Sequence, residues 1–172
     1  MRLKSVKLIL KGQALNKMQL DFVNLLIKNH VVFLVIGGQA VHIYSKYRAT
    51  SDLDILLSRS KNNARRLAHV LTHFNAQPTQ GKKWEDLLTQ KGFRLTYPSE
   101  NYHEADILTS IDGIDFGLCY RRSVEANFEG LVLKVPCLLD LIDMKKISLT
   151  SGNDASAQKK DARDITELEK LI

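Results

Sequence analysis

Asp52 and Asp54, separated by Leu53 in the run SDLDILL, are the residues whose type and spacing point most directly to chemistry. Residues two apart on an extended strand project to one side, so the two carboxylates are expected to share a face while Leu53, Ile55 and Leu57 turn to the core. Two carboxylates aimed at one point repel, and either one keeps a proton or a cation lies between them. A hard site built of oxygens suits magnesium carrying phosphates. Upstream, Val31 to Ile36 is an apolar run of strand length, closed by Gly37-Gly38. There the backbone can turn tightly and approach a ligand before a helix expected to start near Gln39. Free amides at the start of such a helix attract phosphate, and Arg48 adds positive charge nearby. An anion cradle therefore stands next to a metal cradle, the minimum needed to handle a nucleoside triphosphate.

The elements that must hold these groups follow from periodicity and turn chemistry. Met18, Phe22, Leu25 and Leu26 recur at helical spacing, which predicts an amphipathic helix over 16–29 leading into the first strand. Ser60 reads as an N-cap, and Ala64, Leu67, Ala68 and Leu71 then make a helix behind the Asp52 strand. Pro78 and Gly81 mark a loop, followed by a short helix over 84–88 and a strand over 93–97. Strands over 105–109 and 114–118 are expected to flank Asp112-Gly113 as a tight hairpin, with a last strand over 131–135. Segments 138–149 and 162–171 read as helices joined by TSGNDASAQ, a small polar stretch that looks like a mobile loop. His69 and His73 stand four apart, as zinc ligands can, yet they lie opposite the apolar stripe with no third ligand in evidence. Solvated surface histidines are the simpler reading.

The glycine pair, the thirteen residues 39–51 and the Asp-x-Asp strand together resemble the signature of the nucleotidyltransferases of the DNA polymerase beta type. That family supplies a third carboxylate from a neighbouring strand, and HEADILTSIDGIDF is similar to that segment, with Asp106 in the position. DLIDMKKI and KKDARDITELEKL resemble the tail helices of the abortive-infection (AbiEii-like) toxin branch and its minimal relatives. The resemblance implies a polymerase-beta-type α/β (α+β) fold, a mixed sheet flanked by helices with a C-terminal helical pair. It implies Asp52, Asp54 and Asp106 as catalytic residues and ligands of two magnesium ions. Gly37, Gly38, Arg48, Lys145 and Lys160 are implied on the nucleotide, and Asp161 and Asp164 match the branch's Asp-x-x-Asp ending. Gly38 stands where many members have serine, which leaves the phosphate contact to backbone amides. SGN replaces the basic residue usual in the tail loop, a charge that Arg48, Arg94, Arg121, Arg122 or Lys145 could supply.

The structural alternative is that the aspartates cap amides at strand ends; an unpaired charge on an apolar strand would otherwise cost several kcal/mol, roughly, without a compensating partner. Length and charge narrow the partners. A chain of 172 residues is read as one domain over 1–172, with a core over about 16–136 and a helical appendage over about 137–172. No apolar run approaches the roughly 18 residues that span a bilayer, so no membrane partner and a cytoplasmic location are expected. Cys119 and Cys137 lack metal-ligand spacing and read as small core residues. The formal charge of +6 includes Arg2, Lys4, Lys7, Lys11 and Lys17 ahead of the first acid, Asp21. A basic surface gathers polyanions, so RNA, with a tRNA end as one candidate, is the first acceptor expected for transfer from an NTP, against the plainer reading of a solvated charged face. A protein hydroxyl or a small molecule such as an aminoglycoside stays open as acceptor. So do an antitoxin or other regulatory partner and a non-catalytic binding member of the same fold.

Overall fold

A computed structural model of the protein describes residues 10–47, 49–99, 102–152 and 154–172. Arg48 and the basic residues Arg2, Lys4 and Lys7 lie outside the described residues. A short strand, β1 (Leu10–Lys11), precedes helix α1 (Lys17–Lys28). The helix starts in a capping box: Asn16 Oδ1 accepts from the Gln19 amide at 2.9 Å and Gln19 Oε1 accepts from the Asn16 amide at 3.1 Å. Phe22, Val23 and Leu26 bury its inner face, whereas Met18 is exposed. The chain then makes β2 (Phe33–Ile36), α2 (Gly37–Tyr44), β3 (Leu53–Leu57) and α3 (Lys61–His73), the last capped by Ser60 Oγ accepting from the Asn63 amide at 3.3 Å. His69 and His73 are exposed on α3, as expected of surface histidines.

Next come α4 (Trp84–Thr89), β4 (Arg94–Ser99) and β5 (Tyr102–Leu108). Strands β2, β3, β5 and β4 form a mixed sheet in that order, antiparallel between β2 and β3, parallel between β3 and β5, antiparallel between β5 and β4. The sheet is covered on both faces, so β2 reads as an unbroken apolar run instead of alternating. Val35, Ile55 and Leu57 join the main core, while Leu34, Ile36 and Leu56 pack with Cys119 and Met144 in a smaller one.

The remainder comprises α5 (Phe116–Arg122), β6 (Val124–Phe128), β7 (Leu131–Val135), α6 (Leu138–Ser151) and α7 (Ala155–Glu169). Strands β1, β6 and β7 form a second sheet, and β7 lies beside β2. Leu141, Ile142 and Leu168 bring both C-terminal helices into the main core.

Several expectations need correction. Residues 114–118 form no strand: Asp112-Gly113 makes a turn, and Asp115 Oδ1 accepts from the Leu118 amide at 2.9 Å to start α5. An aspartate three residues ahead of an amide it can cap outcompeted the hairpin. The hairpin instead joins β6, which periodicity did not reveal, to β7 through Glu129 and Gly130, both at positive φ (51° and 93°). The polar stretch after 149 is mostly helix. α6 continues to Ser151, and Asp154 accepts from the Ser156 and Ala157 amides to begin α7 seven residues earlier than expected.

Candidate active site

Sheet register assembles the site. Ile36 pairs with Asp54 across β2 and β3, and Asp54 pairs with Asp106 across β3 and β5. Gly37 follows Ile36 directly, so the glycine turn, Asp54 and Asp106 stand side by side. Helix α2 begins at Gly37 itself, two residues before the expected start near Gln39, and Gly37 turns the chain out of β2 into it at φ +64°. That conformation is costly for any residue with a Cβ, and a Cβ there would also collide with the Asp54 carboxylate. A Cβ on Gly38 would reach 2.8 Å from Thr50 Oγ1. No side chain caps α2, so its first amides stay open to an anion.

The glycine pair, Asp52, Asp54, Arg94, Lys145 and Lys160 all line one cavity of about 550 Å³. Asp52 sits just before β3 and is exposed; Asp54 is partly covered. Burial pushes the Asp54 carboxyl up to about 6, the neighbouring Asp106 charge adds to the rise, and Lys145 opposes it. Asp106 is 2% exposed; it pairs with the Arg94 guanidinium and accepts from Thr96 Oγ1 at 2.8 Å. Both of its carboxylate oxygens therefore meet side chains from β4. Among the described residues no three histidine, cysteine, aspartate or glutamate side chains form a ready-made metal cage. The donor chemistry still fits a hard cation at Asp52 and Asp54, since a carboxyl held up by burial and a like charge is one that a cation would stabilise as the anion.

Lys145 is buried on α6 and bridges to Asp161 at 2.8 Å and Asp164 at 2.7 Å, both on α7. Asp164 is fully buried and also accepts from the Tyr47 hydroxyl, while the Arg163 guanidinium lies 5.0 Å above the Tyr47 ring. The Asp-x-x-Asp ending therefore holds Lys145 at the cavity wall. Lys160 is exposed at the cavity edge. Of the other basic residues proposed to offset SGN, Arg122 is engaged with Asp140 away from this cavity.

Sequence reasoning missed the glutamines that set the segment ahead of Asp52. Gln13 binds both backbone groups of Thr50, donating to its carbonyl at 2.6 Å and accepting from its amide at 3.0 Å. Gln39 Nε2 also donates to the Thr50 carbonyl, at 3.3 Å, and Gln19 Nε2 to that of Ser51, at 2.7 Å. Thr50 Oγ1 accepts from the Asp52 amide at 3.3 Å. Gln19 and Gln39 are buried on otherwise apolar helix faces, and that mismatch is the signal the sequence carried.

Residues 28–170 match the family described as nucleotidyl transferase AbiEii toxin of a type IV toxin–antitoxin system. The chain belongs to the AbiEii nucleotidyltransferase family. It is accordingly a nucleotidyltransferase, an enzyme that transfers a nucleoside monophosphate. Among curated proteins no sequence match was found. Two solved structures share the fold. One is an antigenic nucleotidyltransferase-like protein from Paracoccidioides brasiliensis, at 17% identity and TM-score 0.53, covering 92% of this chain and 79% of that one. The other is the lincosamide antibiotic adenylyltransferase LnuA with lincomycin bound, at 15% identity and TM-score 0.53, covering 93% and 100%. The α/β architecture of mixed sheets flanked by helices is theirs too. Among the described residues no helix is long and apolar enough to cross a membrane.

Proposed function

We propose that this AbiEii-family chain transfers a nucleoside monophosphate from an NTP to a hydroxyl of RNA, with a tRNA end as the first acceptor, and that magnesium is required. The observation that carries the reading is the register that sets Asp106 beside Asp54 and Asp54 beside the glycine turn, with the turn, Asp54 and Lys145 lining one cavity. Asp52 and Asp54, with Asp106 as third carboxylate, would hold two magnesium ions. Bound magnesium supplies charge that lowers the pKa of the attacking hydroxyl and offsets that of the triphosphate.

The chain's own groups do the positioning on which phosphoryl-type transfer depends. The open amides of α2 cradle the β- and γ-phosphates, with Gly38 leaving room for close approach. Lys145 and Lys160, which line the same cavity, neutralise phosphate charge. The acceptor oxygen forms its bond to the α-phosphorus, the bond from that phosphorus to the bridging oxygen breaks, and pyrophosphate leaves with the electron pair. The hydroxyl proton passes to Asp106. The family's type IV description also motivates an antitoxin partner.

Labelled NTPs incubated with RNA, protein and aminoglycoside acceptors test the reading. Wild type is expected to label RNA with release of pyrophosphate, and Asp52→Ala and Asp54→Ala to lose transfer by at least about a hundredfold, the scale of a lost charge-stabilising group. Transfer that survives in the double variant contradicts the assignment.

A further inference from the structure

A second cavity, of about 640 Å³, adjoins the first and touches neither the glycine turn nor the carboxylates of the site. The two cavities share a wall at Ser110 and Ile111, just past the end of β5. The second opens at the far end of β3, roughly 13 Å from Asp54 by strand rise, where Arg59 and Ser60 lead into α3. Lys91 comes in from the segment before β4, and three residues further on Arg94, the partner of Asp106, carries the row of cations into the first cavity.

Both cations of the second cavity can take a ligand. Arg59 makes one long bond, 3.4 Å to the Thr89 carbonyl. Lys91 pairs with Asp112 at 2.9 Å, but the two side chains are 66% and 82% exposed, and an ion pair so wet contributes little and exchanges readily for a phosphate oxygen. Asp115 also lines the cavity, with one carboxylate oxygen committed to capping α5. Half-buried Phe116 adds an aromatic face, backed by the Tyr120 ring at 5.6 Å and 23°. Cations spaced along a groove with an aromatic beside them are what binds a single strand of nucleic acid irrespective of its sequence.

We infer that this second cavity receives the RNA strand leading to the reacting hydroxyl, with Arg59 and Lys91 on its phosphates and Phe116 against one base. The inference rests on the RNA-acceptor reading above. It also supplies a stacking face that the scattered aromatics of the sequence did not disclose.

The test compares wild type, Arg59→Ala/Lys91→Ala and Phe116→Leu. Binding of a fluorescent single-stranded RNA is followed by anisotropy over a salt series, NTP affinity by calorimetry, and labelling of the same RNA by KM. For the double variant, the slope of log affinity against log salt falls by about 1.4, about 0.7 for each single-strand phosphate that is no longer neutralised. Its RNA KM rises at least tenfold while the NTP Kd holds. Phe116→Leu weakens RNA binding about fivefold to about a hundredfold, the range for removing one base stack, and leaves the salt slope alone. If wild type binds and labels RNA and the double variant matches it in slope and KM, this inference falls while the RNA reading stands. If wild type neither binds nor labels RNA but labels a protein or aminoglycoside hydroxyl, the RNA reading falls and takes the inference with it.

Discussion

Asp54 carries two charges' worth of conflict at one position, and its response to pH follows. Its carboxyl is pushed up to about 6 from a usual value of 3.8, chiefly by burial and next by Asp106. Because the folded value is the higher, the metal-free protein holds a proton that the unfolded chain has lost; that stabilisation is whole below about 4 and disappears as pH rises through 6. A cation needs the ionised carboxylate, so magnesium acts in the opposite sense. The rise in Tm caused by magnesium is expected to be small at pH 5 and larger at pH 7.5, and Asp54→Asn to remove most of that difference in thermal melts. An equal rise at both pH values would mean that Asp54 does not meet the ion. Gly37 makes a sharper case. Gly37→Ala must force a Cβ into the Asp54 carboxylate from a backbone at φ +64°. Transfer activity is expected to fall at least a hundredfold, with a loss of about 1–3 kcal/mol in denaturant unfolding from strain alone. Near-normal activity would show that the turn is not seated on Asp54.

At the scale of elements, α7 serves the cavity through Lys145. Burial pushes the Asp164 carboxyl up, and the Lys145 ammonium at 2.7 Å is the charge that favours its anion. Lys145→Met would strand Asp161 and Asp164 together, at a cost of about 3–5 kcal/mol for breaking a buried pair from one side. Since a carboxyl with a raised folded pKa costs stability as pH rises, the Tm gap to wild type should widen between pH 5 and pH 8. Lys145→Met/Asp164→Asn should recover part of it. The sequence placed Lys145, Asp161 and Asp164 on tail helices without joining them, because i,i+3 spacing tells which face two residues share and says nothing of what another helix brings to it. The strands that carry the site were legible for the opposite reason. An unbroken apolar run ending in Gly37-Gly38, then alternation about Asp54, leaves few registers that bury Ile36, Ile55 and Ile107. What failed was local competition: Asp115 and Asp154 each cap a helix where turn-forming neighbours suggested a hairpin and a loop. The glutamines around Thr50 were illegible because their partners are backbone groups 11 to 37 residues away.

For the molecule as a whole, the C-terminal pair is better treated as part of the structure that makes the site than as something added to it. Leu141, Ile142 and Leu168 lie in the same core as Phe22 from α1 and Ile55 from β3, and Met144 closes the smaller core over Leu56. Removing residues after Ser151 would uncover Leu141 and Ile142, leave Lys145 without either carboxylate and take Lys160 from the cavity edge. Burying each large aliphatic side chain contributes about 1.5–3 kcal/mol, and a domain's net stability is only about 5–15 kcal/mol. The shortened chain should therefore lose cooperative unfolding, followed by circular dichroism, together with NTP binding, followed by calorimetry. A separable appendage predicts otherwise: an unchanged melt, with any loss confined to nucleotide affinity. The two measurements pull apart because Leu168 of α7 reaches the core, whereas Asp161 and Lys160 line the cavity and Asp164 reaches it through Lys145. A variant carrying Leu168→Ala on the full chain isolates the first effect, lowering Tm while the NTP Kd, measured well below that Tm, stays near wild type.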